Sequence, residues 1–159
     1  MMRFEVTVTG LGKAARIVEA LHKPMKDMRP IWRAIRPVLQ DAAEERFETQ
    51  GTSDGQAWAP LTPAYAARKN ATHPGRGILV RDGALRDSLT LENGPGQIYR
   101  ETSKAMVWGT SDPKAPYHQH GTGRMPAREV LRVTARDEKD IEKAADKVFH
   151  DAARGAGYR

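Results

Sequence analysis

Residues 30–49 read PIWRAIRPVLQDAAEERFET and carry the longest helical signal in the chain. Ile31, Ile35, Leu39, Ala42 and Arg46 fall on one stripe, and Trp32, Ile35, Leu39, Ala43 and Phe47 widen it. The spacing is the helix period, and the stripe is broad enough to face a globular core. Glu44, Glu45 and Glu48 keep the opposite side wet. Pro30 suits the first turn, where its missing N–H costs little. Pro37 has no such excuse and is expected to kink or divide the helix.

Toward the N-terminus, Arg3 to Thr9 alternates, with Phe4, Val6 and Val8 opposite Arg3, Glu5 and Thr7. This predicts a strand with one buried face. After Gly10 and Gly12 a short helix is expected, with Ala14, Ile17, Val18 and Leu21 toward the core.

Toward the C-terminus, Gln50 to Leu61 (QGTSDGQAWAPL) reads as a loop turning at Asp54-Gly55. Trp58 within it is either an anchor pinning the loop to the core or a contact for a partner. Thr62-Pro63 starts a helix running toward Lys69. Asn70 to Gly77 reads as a flexible link, and Ile78, Leu79 and Val80 return to apolar character. Leu85, Leu89 and Leu91 predict a short helix and a strand, beginning near Asp82-Gly83. Gln97–Tyr99 and Ala105–Trp108 predict a hairpin around Thr102-Ser103. Pro126 to Thr134 predicts one more strand-like segment, with Val130, Leu131 and Val133 apolar.

A final helix follows, with Asp137, Glu138 and Asp140 in its first turns, where the helix dipole favours negative charge. Ile141, Ala144, Ala145, Val148, Phe149 and Ala152 form its stripe. The expected architecture is one α+β domain over residues 1–159: a twisted, mostly antiparallel sheet with helices packed on one face.

Composition bounds the function. A chain of 159 residues suits one domain with its own core. The absence of cysteine excludes disulfides and cysteine-based metal or redox sites. No run reaches the length of a membrane span, and the N-terminus lacks the apolar stretch of a signal peptide. The expected setting is therefore the cytoplasm, until some assembly takes the chain up. The net charge of +6 is spread along the chain, and the signs interleave in its last third. Lys114, Arg124, Arg128 and Arg132 do gather in one region. They read either as solvated surface or as a face toward phosphate or an acidic neighbour.

Chemistry-bearing constellations do not assemble. His118 and His120 at i, i+2 on a strand would share a face, but no third metal ligand is placed by spacing. Ser88, Ser103 and Ser111 lack a nucleophile-elbow setting. Glu44, Glu45 and Glu48 lie on the polar side of a helix, with no cleft implied. The glycines form no phosphate loop. No catalytic residue, metal ligand or cofactor is assigned.

Three stretches taken in order carry a resemblance: SDGQAWAPL at 53–61 with Lys69, ILVRDGALRDS at 78–88, and YHQHGTGRMPAR at 117–128. Together, over about Phe47 to Leu131, they resemble the phage virion morphogenesis family. That family groups the tail-completion proteins of P2-like phages with the G protein of Mu-like phages. The resemblance implies a structural part that completes the tail and helps join it to the head, and it transfers no catalytic residues. It implies that Trp58 and Leu61 seat the long loop and that Gly83 and Gly121 supply turn geometry open to glycine. It implies that Tyr117, His118, Gln119 and Arg128 fix their loop or meet a neighbour. His120 departs from the family's turn and carries nothing over. Partners would be phage tail and head–neck proteins. A homo-oligomeric ring built head to tail is expected, six-fold by likeness to other tail-end and neck parts, with non-specific proximity to DNA. Two alternatives stay open: another head–tail connector, such as a tail terminator or head-closure protein, and a nucleic-acid-binding accessory protein.

Overall fold

A computed structural model describes residues 11–157. In order it contains α1 (Leu11–Lys26), α2 (Arg29–Thr49), a short 3-10 turn (Thr52–Asp54), α3 (Pro63–Thr72), α4 (Ala84–Thr90), β1 (Gln97–Glu101), β2 (Met106–Thr110), α5 (Ala115–His120) and α6 (Ala135–Gly155). The strand expected at Arg3–Thr9 lies outside the described residues.

The long helix α2 organises the molecule, packing along α6 on one side and against α4 on another, while α1 lies on α6. Ile31, Ile35, Ala43 and Phe47 are buried, as the helical period requires. So are Arg36, Gln40 and Arg46, which bring polar groups inside. Pro37 does not divide α2, which runs unbroken through it. Its ring sits on the exposed side, where water can take the carbonyl that the missing N–H leaves unpaired. In α1, Ile17, Ala20, Leu21 and Pro24 face inward at helical spacing. Val18, expected inside, is exposed, and the Ala14 side chain lies outside the described set.

α6 begins with a reciprocal cap. The Thr134 hydroxyl accepts from Asp137 N at 3.2 Å, and the Asp137 carboxylate accepts from Thr134 N at 2.8 Å. Arg136 pairs with Glu45 at 3.0 Å, which sets the start of α6 beside the end of α2.

The expected sheet-dominated fold is not what forms. Among the described residues the only sheet is the antiparallel pair β1–β2, in the register Gln97↔Thr110 to Glu101↔Met106, and the molecule is mostly helical. The hairpin expected around Thr102-Ser103 is present. Its turn is tied to the start of α2: Met28 N donates to Ser103 O at 3.0 Å and the Trp32 indole to Thr102 O at 3.2 Å. Leu91 joins no strand. It caps α4 and is exposed.

Pro126 to Thr134 forms no strand either, and the reason is visible in its hydrogen bonds. Gln119 accepts from Val130 N and Leu131 N, each at 3.0 Å, and donates to Leu131 O at 2.8 Å. The Trp58 indole donates to Glu129 O at 3.0 Å, and Arg46 donates to Val130 O and Arg132 O at 3.3 and 2.9 Å. Side chains take the backbone groups that a partner strand would otherwise satisfy. The core gathers above this segment, with Ala43, Phe47, Trp58, Val80, Leu85, Leu89, Ala115 and Val130 in one cluster.

Candidate functional site

Beside that core a groove of about 430 Å³ opens between α3, the start of α4, α5 and the segment around Met125. Its apolar lining comes from Leu61, Leu79, Leu85 and Met125, and the tyrosines Tyr65 and Tyr117 line it with exposed rings. Arg81, Asp82, Asp112, Lys114 and Arg124 bring charge to it.

Each piece is placed by a local cause. Leu61 follows Trp58, which packs edge-on against Phe47 with ring centroids 5.3 Å apart and so seats the loop. The loop end is held further by Arg128, which donates to Ala59 O at 2.7 Å and Pro60 O at 3.0 Å. Gly83 starts α4 at φ +97°, a backbone conformation that favours glycine. Gly121 follows α5 at φ +72°, and a Cβ there would meet Ala127 N at 2.7 Å and Met125 O at 2.9 Å. Only glycine lets the chain turn back so closely, and that return brings Met125 to the groove.

Two cations in the groove wall lack an acidic counterpart. Lys69 is 7 % exposed and donates to the carbonyls of Arg76, at 3.1 Å, and Gly77. Arg128 is 4 % exposed and holds only the carbonyls named above. Burial depresses both from their ordinary values. Neither has a carboxylate within ion-pair distance among the described residues.

His118 sits in the same wall, on α5, with Nδ1 buried and unpartnered. The strand placement of His118 and His120 is corrected: Pro116 opens a helical turn, so the two rings diverge and His120 points to solvent. Burial first, then the Arg128 and Lys114 charges, push the His118 imidazole below its usual range, with Asp112 opposing. Protonation is therefore easier in the unfolded chain. Stability should be intact above about pH 6.5 and fall as pH drops below it through the folded value. A ring titration by NMR checks the midpoint, and His118→Gln should flatten the slope of unfolding free energy between about pH 7 and 5. An unchanged slope would assign the effect elsewhere.

The groove thus collects Leu61, Tyr117, His118, Arg128, Lys114 and Arg124. Gln119 is turned away to hold residues 130–131, and Trp58 is in the core. Of the four basic residues read together, Arg128 is buried and occupied within the chain. Arg132 lies apart, in a smaller hollow beside Asp54 and Trp58, with Glu129 at 3.7 Å. Lys69, Tyr65, Arg81 and Met125 also line the groove, and the sequence alone does not mark them as site residues. Among the described residues no three His, Asp or Glu side chains are placed to hold a metal ion.

The profile of the phage virion morphogenesis family matches residues 11–150, nearly all of the described chain. The chain belongs to that family. It is also 33% identical, over 107 residues, to Mu-like prophage FluMu G protein 1 of Haemophilus influenzae, covering 66% of this chain and 68% of that one. No solved structure matches. Family members are structural and non-catalytic, so the protein is a phage tail-morphogenesis part rather than an enzyme. No described helix is long and apolar enough to cross a membrane.

Proposed function

We propose that the protein completes the phage tail and helps join it to the filled head, as a closed ring in which each copy touches the next head to tail, six copies being favoured. The observation that carries this is the family match over residues 11–150, which takes in α1, the groove and most of α6. A head-to-tail contact closes into a ring when its rotation divides a full turn. A ring on the path of DNA meets a phosphate backbone, and the net charge of +6 has the sign that suits it.

The test is deletion of the gene in an inducible prophage, with electron microscopy of the lysate. Filled heads and tails are expected side by side but unjoined, with complete particles returning when the gene is supplied in trans. Complete infectious particles from the deletion strain would refute the reading.

A further inference from the structure

The groove has an apolar floor, and the exposed cations Lys114 and Arg124 in its lining make no ion pair among the described residues, so an occupant with an apolar side chain next to a carboxylate fits it. Duplex DNA offers phosphates on a convex surface and no apolar group that could reach Leu61, Leu79 or Leu85. A protein segment offers both.

Such a segment stands on the chain itself, just past the far end of α4. Leu91 is 51 % exposed, and the neighbouring Glu92 carboxylate is 73 % exposed, touching Arg36 at 3.2 Å. The turn that presents them is held firmly. Leu91 O accepts from the Gln97 side chain at 2.7 Å and from Gly94 N at 3.2 Å, and Gln97 accepts from Asn93 N at 3.2 Å. At Gly94 a Cβ would lie 2.1 Å from Asp87 O, so the turn closes directly on the α4 backbone. A large apolar side chain held ready in solvent loses little freedom on docking.

The groove receives Leu85, in the first turn of α4, and the projecting Leu91 follows its last residue. Seven helical residues span about 10 Å, so a socket and a plug sit at opposite ends of one rigid element. We infer that Leu91-Glu92 of one copy docks in the groove of the next, the leucine on Leu61, Leu79 and Met125 and the carboxylate toward Lys114 and Arg124. The contact is heterologous: each copy uses its socket on one neighbour and its plug on the other, as ring growth requires. This inference rests on the ring reading above and names its contact.

The experiment is light scattering of the full chain across concentration, for the natural sequence, for Leu91→Arg, and for the double variant Lys114→Glu, Arg124→Glu. All three positions are exposed, so circular dichroism and melting should match the natural protein. If the double variant melts lower, adding Glu92→Lys to Arg124→Glu in one chain supplies a charge swap that should restore association. The natural chain should assemble, and each variant should need roughly tenfold more protein or beyond to do so. An equimolar mixture of the two variants should stop at pairs, because only one intact plug meets one intact socket. Variants that assemble like the natural chain would leave the ring standing and remove this contact. A mixture that fails to pair would also overturn it. A natural chain monomeric at every concentration would remove both ring and contact.

Discussion

Arg46→Ala should lower the unfolding free energy by about 3–5 kcal/mol, the usual cost of leaving buried acids without their cation. Arg46 is 2 % exposed, and four groups depend on it. Its guanidinium pairs with Asp54, stands 3.7 Å from Asp137, and donates to Val130 O and Arg132 O. One side chain therefore ties the end of α2 to the long loop, to the extended segment and to the start of α6. Lysine cannot replace it, because a single ammonium cannot reach all the acceptors that the planar fork of guanidinium donors meets at once. Urea denaturation is the measurement, with Arg46→Lys beside Arg46→Ala. A loss below about 1 kcal/mol would mean that the acids find water and that the network is peripheral.

Trp58→Ala is expected to cost about 3–5 kcal/mol as well, through a different term. The indole fills the space against Phe47, and its removal leaves a cavity between α2 and the loop. Trp58→Phe should be milder, keeping most of the packing and losing the bond to Glu129 O, worth about 1–2 kcal/mol. Because Ala59, Pro60 and Leu61 follow directly, Trp58→Ala should also weaken self-association below its melting point. Paired melting and light-scattering curves separate the two effects. Full stability in Trp58→Ala would show that Arg128 alone seats the loop.

The helices were legible because burial in them follows a period. The stripe of α2 and the acidic start of α6 announce themselves, and both lie where the sequence puts them. What the period hides is the kind of residue that occupies an inward position. Arg46 falls on the stripe like an aliphatic residue, and its acids lie eight and ninety-one positions away. An arginine on an apolar stripe is itself the signal that carboxylates must be sought.

The segment at 126–134 misled for a related reason. Arg128 and Val130 are buried while Ala127 and Glu129 are exposed, so the two-residue alternation was real. It reports an extended chain with one face inward, and it says nothing of what satisfies the backbone. The i, i+2 spacing of His118 and His120 suggests a strand, but Pro116 opens a helix there, so α5 does not show in the histidine spacing. The site was partly legible. The ordered motifs pointed to Leu61, Tyr117, His118 and Arg128, which the fold brings into one groove. Tyr65 and Arg81 escaped notice because an exposed tyrosine or arginine carries no pattern until distant segments are folded beside it.

The extended segment has one more consequence, for how copies of the protein can meet. The amides of Arg128, Val130 and Leu131 and the carbonyls of Glu129, Val130, Leu131 and Arg132 are all taken within the chain. A stretch that alternates like a sheet edge would ordinarily be a template on which a neighbour's strand could zip and fibres could grow. Here those groups are already taken, so crowded copies find fewer open positions on which to stack.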